Sequence, residues 1–132
     1  MSIQSANFLL AGPLSASGSS NATVQITPGV EFIHFKLSAG YLAVAGTSGV
    51  RFNFQVSPDN STFTNVAQLA GGNITVANAA NTRLDSDVTI YANGWRIKST
   101  TPINYIKVTA TNLDATNSAS ISVTALIHTS YD

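Results

Sequence analysis

The chain has 132 residues, a formal net charge of zero and only 9% charged residues, against about 25% in an ordinary globular domain. One domain's worth of sequence with its six basic residues scattered along it excludes the clustered positive charge that a nucleic-acid or anionic-membrane partner requires. The absence of cysteine excludes a disulfide framework and a thiolate zinc site. Solvation falls instead to 16 serines, 15 threonines and 12 asparagines. A neutral surface of hydroxyls and amides packs readily against other protein, so an assembled state is the expectation.

Residues 1–21 mix small polar residues with a short apolar patch and end in the Gly/Ser-rich stretch from Ser15 to Asn21. This reads as a flexible N-terminal arm and linker, with residues 22–132 as the folded domain. Its apolar residues Ile3, Phe8, Leu9 and Leu10 have two uses: docking on the chain's own core, or pairing with a neighbouring subunit. The run Phe8–Ala11 is too short for a signal core or a membrane span, which points to synthesis in a cytoplasm.

Val24 and Ile26 start the strands. Thr27-Pro28-Gly29 turns the chain into Glu31–Leu37, where Ile33, Phe35 and Leu37 form one face and Phe32, His34 and Lys36 the other. Ala39-Gly40 marks a break before a weaker segment, Tyr41–Ala45. The central element is Val50–Val66. There Val50, Phe52, Phe54 and Val56 alternate with Arg51, Asn53, Gln55 and Ser57, and Pro58, Asp59 and Asn60 then turn the chain. Ile74 and Val76 form a short strand, and Asn78–Asp87 a polar connection to Val88 and Ile90. Asn93-Gly94 is a tight hairpin signal, predicting Val88–Tyr91 paired with Trp95–Lys98. Ile103–Thr111 follows as the longest strand, with Ile106, Val108 and Ala110 facing inward. The last strand, Ser120–His128, points Ile121, Val123, Ala125 and Ile127 one way. Eight to ten short strands with no sustained helical period predict an all-β antiparallel sandwich, jelly-roll-like or immunoglobulin-like; alternation fixes faces and leaves strand neighbours open.

Groups able to do chemistry are few. His34 and His128 are the only imidazoles and lie on polar strand faces, so both read as solvated or hydrogen-bonded side chains. Asp85-Ser86-Asp87 is the only carboxylate cluster; it lacks the glycine and terminal glutamate of a calcium loop and reads as a solvated turn. No phosphate-cradling glycine loop opens a helix. Neither catalytic residues, nor a cofactor, nor a metal is therefore expected. The aromatic residues Trp95, Tyr91 and Tyr105 admit a second reading, as a platform on which sugar rings stack.

The strand and turn around Ser57-Pro58-Asp59-Asn60-Ser61-Thr62-Phe63, together with Tyr91-Ala92-Asn93-Gly94-Trp95-Arg96-Ile97, Ile103-Asn104-Tyr105-Ile106-Lys107-Val108 and the final Val/Ile/Ala strand, resemble small β-sandwich virion proteins of tailed bacteriophages. The resemblance spans about residues 48–127, and lysine stands at 107 where arginine is usual. It implies a head decoration (cement) protein, or a tail or baseplate component. Such a protein would bind the major capsid protein on the outside of the head as a homotrimer and reinforce it. The alternative is a carbohydrate-binding tail, baseplate or adhesin module.

Overall fold

In the computed structural model, which describes residues 2–26, 30–41, 49–66, 69–76, 83–91 and 104–130, nine strands build two antiparallel sheets. They are β1 (Ser2–Leu14), β2 (Ser19–Gln25), β3 (Val30–Tyr41), β4 (Val50–Ser57), β5 (Thr64–Asn65), β6 (Asn73–Val76), β7 (Arg83–Tyr91), β8 (Tyr105–Asn112) and β9 (Ala119–Ser130). The first sheet has the order β1-β9-β3-β7. The second has the order β2-β8-β4, with β5 and β6 placed end to end along the far side of β4.

The pairing is nested. β1 lies against β9, β2 against β8, β3 against β7, and β4 against β5 and β6. The chain thus runs out along four strands and returns beside itself, and the pairs β3–β9 and β4–β8 wrap that long hairpin into two layers. This is the jelly-roll order rather than the immunoglobulin one.

Period-2 alternation puts the core where the sequence placed it. Ile33, Phe35 and Leu37 of β3 and Phe52, Phe54 and Val56 of β4 are buried between the layers with Ile106, Val108 and Ala110 of β8 and Ile121, Val123 and Ala125 of β9. The rings of Phe35 and Phe54 meet across the sheets at 5.0 Å and a 58° tilt, a favoured aromatic geometry.

Several expectations change. Residues 2–14 are no flexible arm: they form β1, paired from Ser2–Ser130 to Leu14–Ala119. A register shift between Phe8 and Leu10 inserts Leu9 as an extra residue. The phase beyond it therefore brings Leu10 and Leu14 into the core, a break that hides the alternation in the sequence. Ser15–Gly18 is a tight turn rather than a linker, since Gly18 N–H donates to Ser15 O at 2.8 Å. Ala39-Gly40 does not interrupt β3, which continues to Tyr41 because Gly40 pairs on both sides, with Arg83 and Ser120. Likewise β7 begins at Arg83, so Asp85-Ser86-Asp87 lies in a strand and not in a turn. Ser57, assigned to the polar face, is buried, its hydroxyl committed to Asp59 at 2.9 Å. Among the described residues the longest strand is β1, not the one ending at Thr111. The Asn93-Gly94 hairpin, with Trp95–Lys98, lies outside the described residues.

One end of the sandwich closes on Asn112. Its buried carboxamide donates from Nδ2 to the carbonyls of Leu14 (3.4 Å), Ser15 (3.1 Å) and Asn117 (2.8 Å), and accepts at Oδ1 from Asp114 N–H (3.1 Å). The Tyr41 phenol lies 2.7 Å from both Asn112 Oδ1 and Gly49 O and shares its single proton between them. Burial, and then the nearby Asp114 carboxylate, push that phenol's pKa up. Replacing Asn112 by alanine takes a hydrogen-bond partner from each of these groups and is expected to cost about 2–4 kcal/mol in urea unfolding. Asn112→Asp, of equal size, is expected to cost more, because it sets a carboxylate oxygen, an acceptor, against three carbonyl oxygens. Equal stability of the two variants would contradict this account.

Candidate functional site

The sandwich offers two outer faces of different chemistry. On the first sheet, cross-strand register brings Phe32 opposite His128 and His34 opposite both Thr89 and Leu126. The Phe32 and His128 rings stack at 4.5 Å with 9° between their planes. His34 Nδ1 lies 2.7 Å from Thr89 Oγ1, and Nε2 lies 3.4 Å from Asp87 Oδ2. Proton placement follows from these partners: Nε2–H donates to the carboxylate, and in neutral imidazole Nδ1 accepts from the threonine hydroxyl.

His34 meets Asp87, yet the pair lies on an open strand face. Asp87 is 68% exposed, so solvent screens its attraction for the imidazole. Acyl-transfer chemistry needs inward-aimed N–H donors at the reacting oxygen. Along β3 the amides go instead to ladder pairing with β7 and β9. A shallow groove continues from Asp87 over Lys36, Ser38, Ser122 and Thr124.

The outer face of the second sheet is laid out in three rows. Asn65, Gln55, Lys107 and Thr23 stand side by side across β5, β4, β8 and β2. The next row is Asn73, Asn53, Thr109 and Asn21, and the third is Thr75, Arg51, Thr111 and Ser19. Every position is polar and none is a carboxylate. Between β5 and β6 the described residues Val66 and Leu69–Gly72 turn beside this face, and Gly71 lines its edge. Val66 anchors this turn by its buried side chain and by N–H donation to Phe54 O at 3.0 Å. Gly72 passes so near β4 that a Cβ there would sit 2.8 Å from Phe54 O, and its φ of +75° is in the left-handed region. Asn53 Nδ2 reaches from the floor to the wall, with Asn73 Oδ1 at 2.9 Å, Gly71 O at 3.2 Å and Asn65 Oδ1 at 3.3 Å. The resulting groove, of about 370 Å³, is lined by Arg51, Gln55, Thr109 and Thr111 beside these asparagines.

Two loops share one device. Asp59 Oδ1 accepts from the N–H groups of Thr62 (2.8 Å) and Ser61 (2.9 Å) and from the Ser57 hydroxyl. Asp114 Oδ1 accepts from the N–H groups of Asn117 (2.8 Å) and Thr116 (2.9 Å). These donors favour the ionised carboxylates and hold both below the usual range, Asp114 far below it.

The sequence-derived candidates disperse. Ile3 and Phe8 fall in β1, opposite Thr129 and Thr124 of β9. Leu10 is buried in the chain's own core and Leu9 packs against it, which is the docking alternative rather than a free intersubunit arm. Tyr91 ends β7 in the first sheet and Tyr105 opens β8 in the second, so the two share no strand face. Trp95 lies outside the described residues. The asparagine-lined groove had no signal as a unit, because Asn53, Asn65 and Asn73 become neighbours only through β5 and β6 pairing with β4. Among the described residues no three His, Asp or Glu side chains converge on a metal-binding geometry, and no helix is long and apolar enough to cross a membrane.

No protein-family model matches the sequence, and no curated protein matches it. Solved structures do share the fold. The PBSX exported protein XepA superposes with a TM-score of 0.64 at 12% identity, over 97% of this chain and 38% of that one. A chain of infectious bursal disease virus, Gx strain, gives 0.50 at 16% identity over 97% and 31%. The enzymatically active domain of tailspike protein 4 from bacteriophage CBA120 gives 0.52 at 6% identity over 97% and 19%. This chain therefore spans well under half the length of each of these neighbours, and at such identities the likeness is one of fold.

The two aspartate loops set an acid limit. A carboxylate whose pKa is depressed by folding contributes stability above its unfolded pKa of about 3.9, and that stability is lost as pH falls toward the folded value. The melting temperature is thus expected to be level from pH 7 to about 5 and to drop below about 4. Asp114→Asn should lower it at pH 7 and flatten the acid limb, followed by circular dichroism. An unaltered acid limb in that variant would remove Asp114 from the explanation.

Proposed function

We propose that this chain is a non-enzymatic virion structural protein. It decorates the outer surface of an assembled head as a homotrimer, with the major capsid protein as its partner and the virion as its location. The observation that carries this reading is the side of the sandwich formed by β1 and β2. Both are edge strands, one in each sheet, and across their 13 and 7 residues neither carries a single charge. Edge strands expose unpaired backbone donors and acceptors, and charged residues are a common protection against pairing with other chains. The opposite edge, β7, carries Arg83, Asp85 and Asp87. In the first sheet the β1 edge is therefore suited to adding a neighbour's strand, and the β7 edge is guarded.

The composition supports the same reading, since a neutral hydroxyl and amide surface opposes association little. So does the occurrence of the fold in a virus chain and in a phage tailspike, at the level of fold alone. The stacked and hydrogen-bonded histidines of the first sheet read as cross-strand pairs that stiffen that face.

Light scattering on the purified chain should give a trimer, and sedimentation with undecorated heads should give saturable binding. Ala11→Lys combined with Thr23→Lys puts a cation on each uncharged edge, both at exposed positions. It is expected to abolish trimerisation and head binding with the far-ultraviolet spectrum unchanged. A monomeric wild type that stays in the supernatant would refute the proposal.

A further inference from the structure

We propose that the walled groove on the outer face of the second sheet binds an acidic saccharide, with Arg51 receiving its carboxylate and the amides and hydroxyls around it receiving the ring hydroxyls. This goes beyond the structural role above and does not rest on it.

The chemistry of the lining selects the ligand. A sugar presents closely spaced hydroxyls, each both donor and acceptor, and is held by an equally dense mixture of the two. Asn53 spends its Nδ2 donors on the wall, which leaves Oδ1 as its acceptor toward the groove. Asn65 and Asn73 spend their Oδ1 acceptors on Asn53, so their amide donors have no partner among the described residues. Asn53 thereby links Asn65 and Asn73 by hydrogen bonds, which lowers the rotamer freedom that a ligand must freeze out on binding. Thr109 and Thr111 add hydroxyls on the facing strand.

Charge narrows the class. Arg51 is the groove's only charged residue, and no carboxylate stands on the three rows of this face. Guanidinium pairs with a planar carboxylate through two parallel hydrogen bonds. The other cation of the face, Lys107, holds its ammonium 4.1 Å from the centre of the Phe63 ring and so covers one face of it. Recognition rests on hydrogen bonds and one ion pair, unlike the aromatic platform inferred from Tyr91, Trp95 and Tyr105. Two cations are too few for a nucleic-acid track. The groove's volume of about 370 Å³ suits one or two sugar rings rather than a long polymer.

The test is a glycan array probed with the full chain, carrying neutral, uronate-terminated and sialate-terminated glycans, followed by calorimetry on the tightest ligand. Acidic glycans should bind and their neutral counterparts should not. Arg51→Gln should weaken binding by about tenfold or more, and Thr109→Val by a smaller factor. Lys36→Gln, on the other sheet's outer face, and Trp95→Ala should leave it unchanged. Arg51, Thr109 and Lys36 lie outside the core, and melting curves check that each variant is folded. No binding by any glycan, neutral glycans bound as tightly as acidic ones, or binding that survives both Arg51→Gln and Thr109→Val would each overturn the proposal. Arg51→Gln should still sediment with heads, so a failure of sugar binding and a failure of decoration are separate results.

Discussion

The architecture depends at one end on a single buried carboxamide. Asn112 belongs to the second sheet, while Leu14 and Tyr41 belong to the first and Asn117 to the β8–β9 connection. An apolar residue would fill the space, but it would take one hydrogen-bond partner from the last carbonyl of β1 and leave the phenol of β3 only Gly49 O. A polar hub of this kind contributes little net energy. What it contributes is a fixed relation between layers whose apolar contacts alone would tolerate sliding. Nearby amides reinforce it: Asn112 N–H donates to Gly18 O, Leu113 N–H to Gly49 O and Ser17 N–H to Asp114 O. Three connections that are remote in sequence are thereby tied at one point.

Much of the fold was legible because alternation is a direct consequence of the pleat. The strands β3, β4, β8 and β9 show it in the sequence and bury the residues it selects. Where it failed, a local irregularity had broken the period. The extra residue at Leu9 shifts β1 by one position, and a phase change in the middle of a strand looks the same as no strand at all. At Gly40 the error was the opposite one. Glycine next to alanine resembles a stop, but a central strand flanked on both sides can absorb a residue without a side chain, because its neighbours supply the hydrogen bonds.

The candidate site was far less legible. A polar strand face identifies itself residue by residue, but a groove is a property of which faces become neighbours. Nothing in the local sequence aligns Asn53 with Asn73, or Arg51 with Thr111. Those contacts come from the jelly-roll order, and that order is fixed by the packing of the whole chain. The loop aspartates lie between these extremes. Asp59 with Ser61 and Thr62, and Asp114 with Thr116 and Asn117, are short-range patterns in which a side chain stands in for a missing backbone acceptor, and the turns themselves were readable.

The nested pairing also governs how the chain can acquire its structure. In the first sheet β9 lies between β1 and β3, which do not touch each other as sheet neighbours. In the second, β8 lies between β2 and β4 in the same way. The strands that hold each layer together, β8 and β9, are therefore made after the seven strands that they unite. Until they arrive, β1 to β4 have exposed edges and apolar faces with nothing to cover them, and the ladders that close the fold join the most distant segments of the chain. Topologies of this kind fold slowly and pass through aggregation-prone intermediates. A chain so sparing of charge must cross that interval with little electrostatic repulsion to keep its copies apart.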